Sequence, residues 1–109
     1  MPFLCQIRAD GATVGRWEVG DQPLVVGRGR GSDVKIQDER LSREHFAILR
    51  DGSSFVICDL NSTNGTWARG ERISRMGLSD GDAIRAGRTR FLFEQGLGNV
   101  QGPATEVMW

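Results

Sequence analysis

Four arginines, Arg28, Arg30, Arg40 and Arg43, gather in a stretch rich in Gly, Asp and Ser, where a loop is expected. A guanidinium is planar, permanently charged and carries a rigid fork of N–H donors that matches the oxygens of a phosphate. Ser42 adds a hydroxyl donor on a short side chain beside Arg43. Such a cluster suits one phosphate group. Further along, Thr63 and Asn64 precede Gly65. The Asn64 amide both donates and accepts hydrogen bonds, as gripping an extended main chain requires.

Other chemistries fit these residues less well. Ser42, His45 and Asp59 are the types of a nucleophile, its base and an orienting acid. In extended chain, however, residues three apart point to opposite sides, and no nucleophile elbow surrounds Ser42. No catalytic residue is therefore expected. The run Gly27-Arg28-Gly29-Arg30-Gly31-Ser32 resembles a phosphate-cradling loop, but it has neither the Walker spacing nor the dinucleotide spacing, and no helix is expected after it. As an Arg-Gly segment for RNA it is a single copy with few exposed aromatics nearby.

Composition narrows the class further. The 109 residues fit one domain able to bury its own core, with 39% hydrophobic and 26% charged residues. The formal net charge is +0, so no global basic field exists to hold nucleic acid. Of 14 basic residues all but Lys35 are arginine, a bias that GC-rich coding can impose by itself, so position says more than type. Cys5 and Cys58 lie apart in apolar stretches without metal or redox spacing and read as reduced core residues. No metal and no cofactor is expected. No apolar run approaches the ~20 residues of a membrane span, and the start Met1-Pro2-Phe3-Leu4 lacks the character of a secretory leader. The expected location is cytoplasmic, with no membrane partner.

The elements that must position the cluster are strands. Short β-like runs recur between turn formers, and no window keeps a helical period over two turns. Candidate strands are Phe3–Arg8, Gly15–Val19, Leu24–Arg28, Val34–Ile36, His45–Arg50, Ser54–Asp59, Thr66–Trp67, Arg72–Ile73, Ala83–Arg85 and Thr89–Gln95. Asp10-Gly11, Asp51-Gly52, Asn64-Gly65, Arg69-Gly70 and Asp80-Gly81 mark tight turns that place glycine at positive φ, and Asp51-Gly52 reads as a hairpin. A meander of antiparallel strands is expected, folded into a two-sheet sandwich because several strands are apolar on both faces. The domain is expected over residues 1–95. From Gly96 the composition turns to Gly, Asn, Gln and Pro, and residues 96–109 read as a C-terminal tail or linker.

Gly27-Arg28, Ser42-Arg43-Glu44-His45 and Asp59-Leu60-Asn61-Ser62-Thr63-Asn64-Gly65-Thr66, in that order and followed by Trp67 and Gly70, resemble the forkhead-associated (FHA) domain over about Leu24 to Phe93. Each part alone is common in β proteins; the ordered combination is specific. The resemblance implies an all-β fold, an 11-stranded antiparallel β-sandwich of the FHA/SMAD type with ligand loops at one end. It implies binding of phosphothreonine in a partner protein within Ser/Thr-kinase signalling. Arg28 and Ser42 would hold the phosphate, with Arg43 as a second positive contact. Thr63 and Asn64 would hold the peptide. Arg40, two residues before Ser42 and on the same side in extended chain, would favour Asp or Glu three residues after the phosphothreonine. Gly27, His45 and Gly65 would be structural, His45 tying the Ser42 loop to its neighbours. The alternative is a phosphorylation-independent assembly module on the same fold. Thr105 in the tail, if phosphorylated, is a further candidate ligand for the domain's own loops.

Overall fold

Buried residues alternate with more exposed ones along 83–86 and 89–94, whereas Phe46-Ala47-Ile48 and Phe55-Val56-Ile57 are buried on both sides. A computed structural model describes residues 1–95. It contains β1 (Phe3–Ile7), β2 (Thr13–Glu18), β3 (Leu24–Gly27), β4 (Val34–Lys35), β5 (Phe46–Asp51), β6 (Ser54–Asp59), β7 (Thr66–Ala68), β8 (Glu71–Ile73), β9 (Arg75–Leu78), β10 (Ala83–Ala86) and β11 (Thr89–Glu94). Among the described residues there is no helix. The expected tail, 96–109, and Thr105 within it lie outside the described residues.

The strands form a six-stranded sheet, ordered β2-β1-β11-β10-β7-β8, and a five-stranded sheet, ordered β4-β3-β5-β6-β9. Their inner faces meet through Phe46 and Phe91, whose rings approach edge to face at 5.5 Å, and through Phe55 and Phe93 at 5.9 Å. Pairs of this kind add roughly 0.5–1.5 kcal/mol beyond the area they bury. Leu4, Val26, Ile48, Ile57 and Ile84 complete the sealed core between the sheets. Cys5 is buried as expected, whereas Cys58 is only half-buried; both are free thiols.

The all-β sandwich agrees with the sequence, and the glycines of all five marked turns have positive φ. Asp51-Gly52 closes the β5–β6 hairpin, with Asp51 opposite Ser54. The strand order is not the expected meander, since β1 pairs with β11, β10 with β7, β3 with β5 and β6 with β9; two further features also depart from expectation. β3 and β4 pair in parallel, Val26 opposite Val34 and Gly27 opposite Lys35, because the 28–33 loop folds back along β3 and is pinned there. Asp33 does the pinning: its N–H donates to the Val25 carbonyl at 2.8 Å and its carboxylate accepts the Val25 N–H at 2.8 Å. The second is β9, which was not among the candidate strands. Only Ser74 separates it from β8, and the chain changes sheets there, β8 pairing with β7 and β9 with β6. No turn residue marks a crossing between layers.

These directions fix where the loops gather. β3 and β6 end at the edge of the sandwich where β5 and β7 begin, since β5 is antiparallel to both β3 and β6. The parallel β4 carries the chain towards that same edge. Loops 28–33, 36–45 and 60–65 therefore crowd together, with the β10–β11 turn beside them.

Candidate functional site

The three loops are bound to each other through their backbones. Gly27 ends β3 against the following loop, and a Cβ there would fall on the Arg43 carbonyl oxygen, so only glycine fits. The Arg28 N–H donates to the Ser42 carbonyl at 3.1 Å. The Gly29 N–H at 3.0 Å and the Ser32 hydroxyl at 2.7 Å both donate to the Arg43 carbonyl. The 28–33 and 36–45 loops thus hold one another without using the Arg28 or Arg43 terminal nitrogens.

His45 is fully buried at the start of β5. Its Nδ1 accepts the Ser42 backbone N–H at 3.0 Å, and its Nε2 lies 2.8 Å from the Gly65 carbonyl. An acceptor at Nδ1 and a donor at Nε2 define the neutral ring protonated on Nε2. One side chain thereby joins the 36–45 and 60–65 loops.

The 60–65 loop has its own anchor. Asp59 accepts the Ser62 N–H at 3.0 Å, the Ser62 hydroxyl at 2.6 Å and the Thr66 hydroxyl at 2.6 Å, while the Ser62 Oγ accepts the Gly65 N–H at 3.0 Å. Burial pushes the Asp59 carboxyl up, but these hydrogen bonds outweigh it and hold it below the usual carboxylate range. Gly65 has φ +87°, which closes the turn. Asp59 is thus committed to the loop and bonded to neither His45 nor Ser42.

Asp38 plays the same part for the 36–45 loop. It accepts the Arg40 N–H at 2.9 Å, and from across the sandwich the Arg88 N–H and the Thr89 hydroxyl, each at 2.7 Å. Burial again works to raise this carboxyl, and the Thr89, Arg40 and Arg88 hydrogen bonds together bring it below its ordinary value.

The result is an open cleft of about 660 Å³ whose lining includes Arg28, Arg40, Ser42, Arg43, Thr63 and Asn64. All the expected phosphate and peptide residues are brought together there; Gly27, His45 and Gly65 lie behind it. The Arg28 Nε donates to the Leu41 carbonyl at 2.7 Å. Among the described residues its two terminal nitrogens have no hydrogen-bond partner, so the fork is aimed and free. The Ser42 Oγ accepts the Thr63 N–H at 3.1 Å, which leaves its own hydrogen to donate. The Arg43 guanidinium is exposed and unpaired among the described residues. Asn64 donates through Nδ2 to the Arg40 carbonyl at 2.8 Å, keeping Oδ1 and one Nδ2 hydrogen for a ligand.

One expectation about orientation does not hold. Arg40 lies in a turn, not in extended chain, with the Leu41 N–H donating to the Asp38 carbonyl at 3.0 Å. Arg40 and Ser42 share the cleft through this turn and not through strand alternation. Residues 42–45 are likewise bent and not extended, and the Ser42 backbone N–H reaches the His45 ring directly.

Sequence reasoning missed the anchoring roles of Asp38 and Asp59. Asp59-x-x-Ser62 and Asp38-x-Arg40 carry the short spacing of side chain to backbone turns, a signal that was there to find. The Arg88 and Thr89 partners of Asp38 are distant in sequence and leave no local trace.

The model of the FHA domain family matches residues 24–87. FHA domain-containing protein FhaA of Mycobacterium tuberculosis is 37% identical over 68 residues, which are 62% of this chain and 13% of FhaA. A solved structure from work on phosphothreonine-dependent FHA domain interactions superposes with a TM-score of 0.77 and 29% identity, covering 87% of this chain and 96% of that one. Mycobacterium tuberculosis EmbR in complex with a low-affinity phosphopeptide gives a TM-score of 0.75 at 32% identity, over 91% of this chain and 25% of EmbR.

Proposed function

This chain belongs to the FHA domain family, and on that premise we propose that it is a phosphothreonine-dependent binding module for a partner phosphorylated by a Ser/Thr kinase. The observation that carries the proposal is the Arg28 guanidinium, fixed through Nε to the Leu41 carbonyl, its terminal nitrogens without a partner among the described residues, in one cleft with the Ser42 hydroxyl. Phosphothreonine brings about −1.5 to −2 charges at neutral pH. Charge-assisted hydrogen bonds to it are worth roughly 1.5–3 kcal/mol each. Arg28 and Ser42 hold the phosphate, and Arg43 adds a second charge at the rim. Thr63 and Asn64 hold the ligand's main chain. Arg40 reads an acidic side chain three residues after the phosphothreonine.

The site binds and does not catalyse. Both ring nitrogens of His45 are engaged by backbone groups, so His45 is not available as a base for the Ser42 hydroxyl. Fluorescence polarisation with one threonine peptide in phosphorylated and unphosphorylated form tests the proposal. Binding of the phosphorylated form alone is expected, and equal binding of both would instead identify a phosphorylation-independent assembly module.

A further inference from the structure

The phosphate cleft continues past Asn64. Arg40 and Asn64 also line a second cleft of about 190 Å³, completed by Trp67, Arg85 and Gly87. Trp67 and Arg85 in turn line a third, of about 590 Å³, on the outer face of the six-stranded sheet. The Arg85 guanidinium lies over the Trp67 ring, 5.2 Å from its centroid.

Strand register sets the residues of this face in one row: Arg72 opposite Trp67, Trp67 opposite Arg85, and Arg85 opposite Arg90. With strands about 4.8 Å apart the row is about 14 Å long, the span of roughly four residues of extended chain. Arg85 and Arg90 are like charges directly opposite one another, an arrangement that destabilises a sheet. Neither is in an ion pair among the described residues, whereas Arg8, Arg50, Arg69 and Arg75 are. The fold gains nothing from the juxtaposition, and an anion over the row would relieve it.

The distribution of carboxylates sets the row apart from the phosphate cleft. The phosphate cleft has Glu39 and Glu44 in its wall beside its arginines. Among the described residues, no Asp or Glu lines the second and third clefts.

We infer that Arg85, laid over Trp67, and Arg90 form a second recognition stretch that takes an acidic segment flanking the phosphothreonine of the same ligand. The inference rests on the phosphothreonine reading of the main site. The ligand's main chain passes over Asn64, and its acidic side chains pair with Arg85 and Arg90. The apolar part of the segment lies on Trp67.

The test uses three phosphothreonine peptides: one with alanine flanks, one with four Asp/Glu residues placed after the position Arg40 reads, and one with the same run placed before the phosphothreonine. With the native chain, one acidic run should tighten binding about fivefold to tenfold over alanine flanks, a gain of the size one or two exposed ion pairs give, and should steepen the salt dependence. Arg85→Glu should remove that gain while leaving the alanine-flanked peptide within about twofold of native, and Arg90→Glu, on the neighbouring strand, should do the same. If the gain persists in both variants, or if neither acidic run tightens binding, the second stretch is wrong although the main site stands. If the alanine-flanked phosphopeptide does not bind the native chain at all, the phosphothreonine reading falls and this inference with it. Displacement of the acidic run by a single-stranded oligonucleotide at equal concentration would reassign the row to nucleic acid.

Discussion

The backbone N–H of Ser42 donates to Nδ1 of the buried His45 at 3.0 Å, while Nε2 of the same ring bonds the Gly65 carbonyl at 2.8 Å. The imidazole is a rigid strut between two ligand loops and has no face on the cleft. His45→Ala should therefore remove two buried hydrogen bonds and leave a cavity, lowering stability by about 2–4 kcal/mol in urea denaturation. Phosphopeptide affinity should fall as well, although His45 touches no ligand. Unchanged stability would mean that the strut does not matter.

Arg28 should behave in the opposite way. Its side chain is exposed, and its single internal hydrogen bond goes to the Leu41 carbonyl. Arg28→Ala should leave the thermal midpoint near the native value and weaken phosphopeptide binding by about a hundredfold, the loss of one to two charge-assisted bonds. Arg28→Lys should not restore it, because an ammonium cannot anchor at the Leu41 carbonyl and still present a fork to phosphate. Full rescue by lysine, read by calorimetry, would show that only charge is needed.

Gly27→Ala probes the close approach of two loops. The added Cβ would meet the Arg43 backbone carbonyl, which the Gly29 N–H and the Ser32 hydroxyl already hold in place. Since neither side can yield cheaply, a loss of about 1–3 kcal/mol is expected in the unfolding free energy. A neutral substitution would show that the loops separate easily.

Acid should loosen the 60–65 loop. Asp59 has its pKa depressed in the folded state, so its contribution to stability is present above the unfolded value of about 3.9 and is lost as pH falls through the lower folded value. Asp59→Asn should flatten this acid limb. It should also cost about 1–3 kcal/mol at neutral pH, because the amide cannot accept from Ser62 N, Ser62 Oγ and Thr66 Oγ1 as the carboxylate does. Stability curves for both proteins between pH 2 and pH 7 would decide it; a native curve as flat as that of Asp59→Asn would contradict the assignment.

Much of this was legible in the sequence, for physical reasons that differ by element. The β5–β6 hairpin could be read because the apolar runs 46–49 and 55–58 flank Asp51-Gly52, and both the runs and the turn are local properties. Gly27, Arg28, Ser42 and Asn64 could be placed in one site because the ordered motif is itself a record of loops that meet. The parallel β3–β4 pair and β9 were not legible, since each depends on which strand lies alongside and not on the strand's own residues. The grip of Asp38 on Arg88 and Thr89 was hidden for the same reason. The row Arg72-Trp67-Arg85-Arg90 draws one residue from each of four strands, and only register reveals it.

The most direct measurement is a backbone amide NMR titration of the chain with one threonine peptide in phosphorylated and unphosphorylated forms. Phosphate binding at the Arg28–Ser42 site requires saturable shifts centred on loops 28–33, 36–45 and 60–65, strongest around Arg28, Ser42 and Thr63, with the phosphorylated peptide only. Equal shifts with the unphosphorylated peptide, or shifts centred on another face of the sandwich, would contradict it.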